Sequence, residues 1–307
     1  MNALGINLWN WCTGLGPDCL GLPEKIARMG FTAVELPMTQ PEVGPALADE
    51  VRGTGLAVSL CAALGPGRDL SSFDEGVRAS TMAYLTGCLE TGAALGARVF
   101  AGPLYAGGGK RHWLGPEDKK REWELAVTGL RELARRAREL GMELALEPLN
   151  RYRTSVVNTA AQALQLVDDI GEANVGVHFD TYHACLEERD LCAALETALR
   201  TGRVNHFHAC ANNRGAPGTG VLPWADIFGL LARYGYKGHV TMETFALGGL
   251  DSSWVQVHPA PDEQARHNII ICIRIINQII HLCKFSIFKI LLNGNFISNY
   301  IILIILQ

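Results

Sequence analysis

Short apolar segments and longer amphipathic segments alternate along the chain. The short ones alternate apolar with small or polar residues, a pattern typical of β-strands. Eight of them are predicted to be strands: 3–9, 33–38, 57–62, 98–104, 143–149, 175–180, 203–209 and 239–245. The segments between them are predicted to be helices, and glycines such as Gly30 and Gly141 stand where helix C-caps are expected.

The regular order of strands and helices predicts parallel β-structure with right-handed crossovers. Eight strands within roughly 250 residues match a (β/α)8 TIM barrel. A doubly wound open sheet is the alternative, and it would be expected to carry a glycine-rich phosphate loop after an early strand. The chain contains neither G-x-G-x-x-G nor G-x-x-x-x-G-K-[ST]. We therefore expect one TIM-barrel domain over residues 1–267.

The last four predicted strands each end near a side chain that can bind a metal ion: Glu147, Asp180, His208 and Glu243. Active sites of TIM barrels lie at the carboxyl ends of the strands, so we expect these groups to converge at the barrel mouth. One charged residue at a strand end is often only solvated or salt-bridged. Agreement across four successive strands indicates a site, and its mainly oxygen donors suit Mn²⁺, Mg²⁺ or Co²⁺ better than structural zinc.

Strand parity supports this prediction, because side chains alternate between the inside and the outside of a barrel. The residues preceding the four candidate ligands are apolar, as expected for the face that meets the helices: Leu146, Phe179, Phe207 and Met242. His178 and His206 lie one layer deeper and are interpreted as histidines that support the ligands or belong to the core.

The last forty residues, 268–307, differ in composition from the rest of the chain. They hold fifteen isoleucines and no Asp, Glu, Pro or Ala, whereas the preceding 267 residues hold four isoleucines. Charged and polar residues such as Arg274 and Lys284 interrupt every apolar run before it reaches the roughly 18–20 residues of a membrane span. We expect this tail to be non-native or disordered, and the eighth barrel helix to be replaced or lost.

Composition narrows the class of protein. The net charge is −4 and 19% of residues are charged, without a Lys/Arg-rich run, which does not support nucleic-acid binding. The nine cysteines form no C-x-x-C pair and are expected to be reduced thiols. Without a signal-peptide pattern at the N-terminus, we expect a cytoplasmic protein with no membrane partner.

The segments EPLNRY, VVNTAAQAL, HFDTYH, HFH…NNR and VTMETF resemble the ketose 3-epimerases, the D-tagatose and D-allulose 3-epimerase group of the xylose-isomerase-like barrels. The resemblance extends over about residues 3–265. It implies one divalent metal, Mn²⁺ in the first place, held by Glu147, Asp180, His208 and Glu243. It also implies that His183 and Arg214 bind a sugar substrate. We expect a homo-oligomer, either a dimer or a tetramer.

The chemistry implied by the resemblance is inversion of C3 of a ketose through an enediolate. A metal that polarises the C2 and C3 oxygens would stabilise the developing charge. Two glutamates on opposite sides of the sugar would remove and return the proton, and by resemblance these are Glu147 and Glu243.

Arg153 departs from the family pattern, which has a substrate-contacting glutamate at this position. A cation there is expected either to bind a phosphate or carboxylate on the substrate, or to turn out to solvent. The family also commonly has Gly-Glu before its N-x-R segment, where this chain has Ala-Cys-Ala before Asn-Asn-Arg (212–214).

Three other functions remain open. An aldose–ketose isomerase, acting on a sugar phosphate or a hydroxypyruvate-type substrate, would use the same barrel and the same kind of intermediate. An apurinic-endonuclease-type nuclease would need further metal-binding histidines at the early strand ends. Those ends read SLCAALG and FAGPLYAGG and contain no histidine, which makes a nuclease unfavourable. A non-catalytic sugar binder is disfavoured because all four ligand types are present.

Overall fold

The computed structural model describes residues 4–65, 67–245 and 260–275. Eight parallel strands follow one another around a closed barrel, which the pairing of the first strand with the last completes. The strands are β1 (Leu4–Asn7), β2 (Ala33–Pro37), β3 (Ala57–Cys61), β4 (Val99–Gly102), β5 (Glu143–Leu146), β6 (Val175–Asp180), β7 (Val204–His208) and β8 (Val240–Met242). The predicted TIM barrel is confirmed.

Helices cover the outside of the barrel in the predicted alternation. They are α1 (Leu22–Met29), α2 (Pro45–Thr54), α3 (Glu75–Ala94), α4 (Pro116–Glu139), α5 (Ala160–Ile170), α6 (Thr181–Glu187), α7 (Leu191–Arg200), α8 (Trp224–Arg233) and α9 (261–275). Capping residues in the local sequence determine where these helices begin and end. Gly30 ends α1 in the left-handed conformation that glycine adopts readily, and a capping box of Thr159 and Gln162 begins α5.

The main core lies between the barrel and the helices. Leu146, Phe179, Phe207 and Met242 all belong to it, together with helix residues, as strand parity predicts. The rings of Phe179 and Phe207 are stacked with their centroids 6.0 Å apart, which helps to align β6 and β7. Because alternate side chains point the other way, the polar residues of these strands face the barrel interior.

The eighth barrel helix, expected to be replaced or lost, is present as α9. Residues 261–275 are helical, and the first residues of the isoleucine-rich tail form the second half of this helix. Ile269 and Cys272 are buried in the core, and the amide of Asn268 donates to the hydroxyl of Thr244 at 2.9 Å. The helix is therefore present, and its apolar positions cover the barrel despite their unusual composition. The rest of the tail, 276–307, lies outside the described residues.

Several strands end earlier than predicted. β5 ends at Leu146, because Pro148 has no amide to donate and the amide of Leu149 instead bonds the carbonyl of Val157. β4 ends at Gly102, where φ is 124° and an added Cβ would lie 2.3 Å from the carbonyl oxygen of Ala62. These early ends start the loops that form the barrel mouth. Among the described residues, no helix has the length and apolar character to cross a membrane.

Candidate active site

The four side chains predicted to bind a metal meet at the carboxyl end of the barrel. One ligand atom from each of Glu147, Asp180, His208 and Glu243 lies within 4.8 Å of the others. All four residues are buried, the most exposed being Glu243 at 5%. Asp180 and His208 are neighbours in the β6–β7 register, and His208 is the neighbour of Thr241 on β8. The closed sheet thus brings together residues that are nearly one hundred positions apart.

Local structure orients two of these carboxylates. Asp180 is both the last residue of β6 and the N-cap of α6, and its Oδ1 accepts the amides of Tyr182 and His183 at 2.7 and 3.1 Å. Its Oδ2 is left to face the site. Glu147 follows β5. Its backbone amide donates a hydrogen bond to the carbonyl of Gly102, and its carbonyl accepts one from the hydroxyl of Tyr105.

The surroundings of His208 fit a divalent cation. Its Nε2 lies 2.7 Å from a carboxylate oxygen of Glu35. Its Nδ1 is buried and has no hydrogen-bond partner among the described residues, although it faces Asp180 Oδ2 at 3.6 Å and Glu243 Oε2 at 3.5 Å. A buried ring nitrogen that faces carboxylate oxygens at these distances is the geometry that a metal ligand requires. Three carboxylates and one imidazole suit Mn²⁺ or Mg²⁺.

The site strongly perturbs its ionisable groups. Burial raises the pKa of Glu147, and the charges of Asp180 and Glu243 raise it further. Burial opposes ionisation of Asp180, but the Arg214 guanidinium and His208 hold the pKa of its carboxyl well below the usual range. Burial likewise opposes protonation of His208, yet the charges of Glu35 and Glu243 raise its pKa. Perturbed groups that converge in one cavity are typical of an active site.

Arg214 lies among the carboxylates. Its Nη1 is 2.9 Å from Asp180 Oδ2 and 2.6 Å from Glu243 Oε2, and its guanidinium stacks on the ring of Tyr182 at 4.1 Å. Its backbone has a φ of 59°, which costs a side-chain-bearing residue energy. Its carbonyl accepts the amide of Phe245 and so ties the loop after β7 to the segment after β8.

His183 faces the same space from α6. The backbone amide of Asn150 donates to its Nδ1 at 3.0 Å. The other ring nitrogen is Nε2. That nitrogen lies 3.8 Å from Glu147 Oε1 and 2.9 Å from Arg214 Nη2. Burial lowers the pKa of His183 to about 3, so the ring is uncharged at neutral pH.

A cavity of about 460 Å³ opens above these groups. Trp9, Cys61 and Phe245 form an apolar cluster on its wall, while Glu147, His183, Arg214 and Glu243 supply polar groups. This volume and mixed lining are typical of small-molecule sites. Arg153 also lines the cavity, and its charge contributes to lowering the pKa of His183. The predicted site residues therefore all meet in or beside one cavity.

Sequence reasoning missed the apolar wall and Glu35. Glu35 lies on β2 with 0% exposure, and its oxygens are 2.7 Å from His206 and 2.7 Å from His208. The signal in the sequence was a single carboxylate inside an apolar strand, AVELP. His178 and His206 are fully buried beside the ligands, and the ring centroids of His178 and His208 are 4.0 Å apart, as expected for supporting histidines.

Comparison with known proteins places this geometry in a family. The family profile described as xylose isomerase-like TIM barrel matches residues 23–274. The D-psicose 3-epimerase of Ruminiclostridium cellulolyticum is 32% identical over 244 residues, which cover 76% of this chain and 81% of that protein. The D-psicose 3-epimerase of Agrobacterium fabrum is 33% identical over 257 residues, covering 80% and 85%. A solved structure of an L-ribulose 3-epimerase superposes with a TM-score of 0.83 at 27% identity, covering 93% and 98%.

Proposed function

The chain belongs to the xylose isomerase-like TIM barrel family, and from this membership and its site we propose that it is a metal-dependent ketose 3-epimerase. The relatives described above are ketose 3-epimerases, which makes this chain an isomerase-class enzyme that acts on carbohydrates. One observation carries the finer proposal. Two glutamates, Glu147 and Glu243, line the same cavity beside Asp180 and His208.

Glu147, Asp180, His208 and Glu243 would hold one divalent cation, which we propose to be Mn²⁺. When bound, the cation supplies Lewis-acid stabilisation of negative charge on the substrate oxygens. The support for this assignment is the donor set and the buried Nδ1 of His208 that faces it.

The two glutamates would move the proton. One removes the proton at C3 of the ketose to give an enediolate, and the other returns a proton to the opposite face. The roles exchange when the other epimer binds. Burial, and then the neighbouring carboxylates, raise the pKa of Glu147, which favours uptake of a proton by this group.

The remaining cavity residues would bind and shield the sugar. His183 offers its Nε2 to a sugar hydroxyl, and Arg214 offers a buried guanidinium to a sugar oxygen. Trp9, Cys61 and Phe245 form an apolar wall that excludes water from the reacting carbons.

Arg153 favours a second candidate, an aldose–ketose isomerase that acts on a sugar phosphate. A guanidinium on the cavity wall is suited to a phosphate or carboxylate, which it can bind through two parallel hydrogen bonds. The same glutamates could then transfer a proton between C1 and C2 of the substrate.

The test is deuterium exchange. Protein loaded with Mn²⁺ is incubated in D₂O with free ketoses and ketose phosphates, and the products are read by NMR. Deuterium at C3 together with the epimer supports the epimerase. Deuterium at C1 or C2 with an aldose product identifies the isomerase. Absence of exchange with every free and phosphorylated ketose would overturn both.

A further inference from the structure

Glu35 lies beneath the proposed metal ligands and has no part in the mechanism described above. Its carboxylate has 0% exposure and joins four neighbouring side chains. Oε1 accepts from Asn7 Nδ2 at 2.8 Å and lies 2.7 Å from His208 Nε2. Oε2 accepts from Ser59 Oγ at 3.0 Å and lies 2.7 Å from His206 Nε2. The network joins β1, β2, β3 and β7 across the barrel interior.

An ionised carboxylate only accepts hydrogen bonds, so the nitrogen of His208 that faces it must carry a proton. That nitrogen is Nε2. In the neutral imidazole the other nitrogen, Nδ1, then keeps its lone pair, and Nδ1 is the atom that faces Asp180 and Glu243. Contact with Glu35 thus selects the tautomer of His208 and fixes the direction of the ring.

We propose that Glu35 is a positioning residue that holds His208 in the tautomer and orientation needed to bind the divalent cation. The inference rests on the proposed function for the presence of that cation. Glu35 touches neither the cavity nor the substrate-binding residues, so its effect passes through His208. Its removal is expected to weaken metal binding first and sugar turnover as a consequence.

The network also predicts how a glutamine would sit at this position. Asn7 cannot turn its amide, because its Oδ1 accepts the backbone amide of Trp9 at 2.8 Å. Its NH₂ group therefore always faces Oε1, and the carbonyl oxygen of Glu35→Gln must take that place. The hydroxyl of Ser59 and the ring of His206 can reverse their roles to accept from the new amide. Glutamine thus keeps an acceptor for His208 and loses the charge.

The experiment measures Mn²⁺ affinity of the full chain, by following the electron paramagnetic resonance signal of free Mn²⁺ during titration. Glu35→Met removes both acceptors with little change in volume, and the affinity is expected to fall by about 10- to 100-fold. Glu35→Gln is expected to fall between Glu35→Met and wild type. Ser59→Ala is the matched control, since it breaks one bond to Oε2 and leaves the bond to His208, and its affinity should equal that of wild type.

The Mn²⁺ affinities of these variants decide whether Glu35 positions His208. Wild-type affinity in Glu35→Met, or an equal loss in Ser59→Ala and Glu35→Met, would overturn the role of Glu35. If Glu35→Met does not fold, Glu35→Leu, which also removes both acceptors, replaces it in this comparison, with thermal unfolding of the metal-free variants as the check on folding. Failure of the wild-type chain to bind Mn²⁺ would instead overturn the proposed metal dependence.

Discussion

The carboxylate of Glu147 is held in place by its own backbone. Its amide donates to the carbonyl of Gly102 at 3.1 Å, and its carbonyl accepts the hydroxyl of Tyr105 at 2.8 Å. The side chain therefore stays close to Asp180 and Glu243, and burial together with these charges raises its pKa. Anchoring of this kind keeps a proton-transfer group within reach of its substrate.

Glu147→Gln is expected to lower kcat/KM for the ketose by about 10²- to 10⁴-fold, because the amide cannot take a proton. Steady-state kinetics with the best substrate from the exchange panel measures the loss. Glu143→Gln is the control, since Glu143 is the exposed first residue of the same strand. An equal loss in both variants would show that the defect lies in folding of β5.

Arg153 differs from Arg151, although both follow the same strand. Arg151 lies outside the cavity and pairs with Glu187, with Nη2 and Oε2 3.0 Å apart. Arg153 lines the cavity, and its backbone is tied to Asn150 and Gly109. Of these two arginines, Arg153 is the one placed to influence the choice of substrate.

Arg153→Gln is expected to reduce the preference for a ketose phosphate over the free ketose by about tenfold or more, since a hydrogen bond to a charged group is worth roughly 1.5–3 kcal/mol. The ratio of kcat/KM for the two substrates is the measurement. Arg151→Gln should leave that ratio unchanged. If Arg153→Gln leaves it unchanged as well, Arg153 does not bind the anionic group.

Among the elements, α9 shows how packing can override composition. The expectation that the eighth barrel helix is replaced or lost rested on the abrupt change to isoleucine-rich sequence. Yet Ile269 and Cys272 lie one turn apart and both are buried, whereas Ile270 and Ile273 are 44% and 40% exposed. Helical spacing of apolar residues was sufficient to cover the barrel, while Ile270 and Ile273 lie at the surface.

Ile269→Ala is expected to lower the free energy of unfolding by about 2–4 kcal/mol, because it removes buried methyl groups and leaves a cavity. Ile270→Ala, at the adjacent exposed position, should cost less than about 1 kcal/mol. Urea denaturation followed by circular dichroism compares the two variants. Similar values for both would contradict the packing of α9 on the barrel.

The local sequence predicts some features of the strands but not the positions at which they end. Strand number, order and parity all follow from the pattern of apolar residues, and the structure confirms them. The positions at which the strands end cannot be predicted from that pattern. Leu149 and Phe245 continue the apolar pattern, but their backbone amides donate hydrogen bonds to loop residues. Hydrogen-bond partners, which are distant in sequence, decide where a strand stops.

At the scale of the whole molecule, closure of the barrel buries polar groups as well as apolar ones. His239, at the amino end of β8, is an example on the side of the barrel away from the site. Burial lowers the pKa of His239, and nearby His206 lowers it further. The ordinary pKa of histidine is 6.5. Once the pH falls below that value, His239 binds fewer protons in the folded state than in the unfolded state.

The contribution of His239 to the free energy of unfolding is consequently expected to decrease as the pH falls below 6.5. In His239→Gln this contribution is absent, so the variant should gain stability relative to wild type as the solution is acidified. Urea denaturation of metal-free protein at a series of pH values measures the difference. A constant difference for His239→Gln would contradict the prediction.

The sequence by itself determined the barrel, the parity of its strands and four residues that could bind a cation, because each of these depends on spacing within a single segment. The homo-oligomer and the cytoplasmic location remain predictions. Tertiary structure alone decided the contact between Glu35 and His208, which are 173 residues apart in the sequence. It also decided the apolar wall of the cavity and the burial of one face of α9. Those features depend on which distant segments the closed sheet brings within a few ångströms, and no local periodicity encodes that distance.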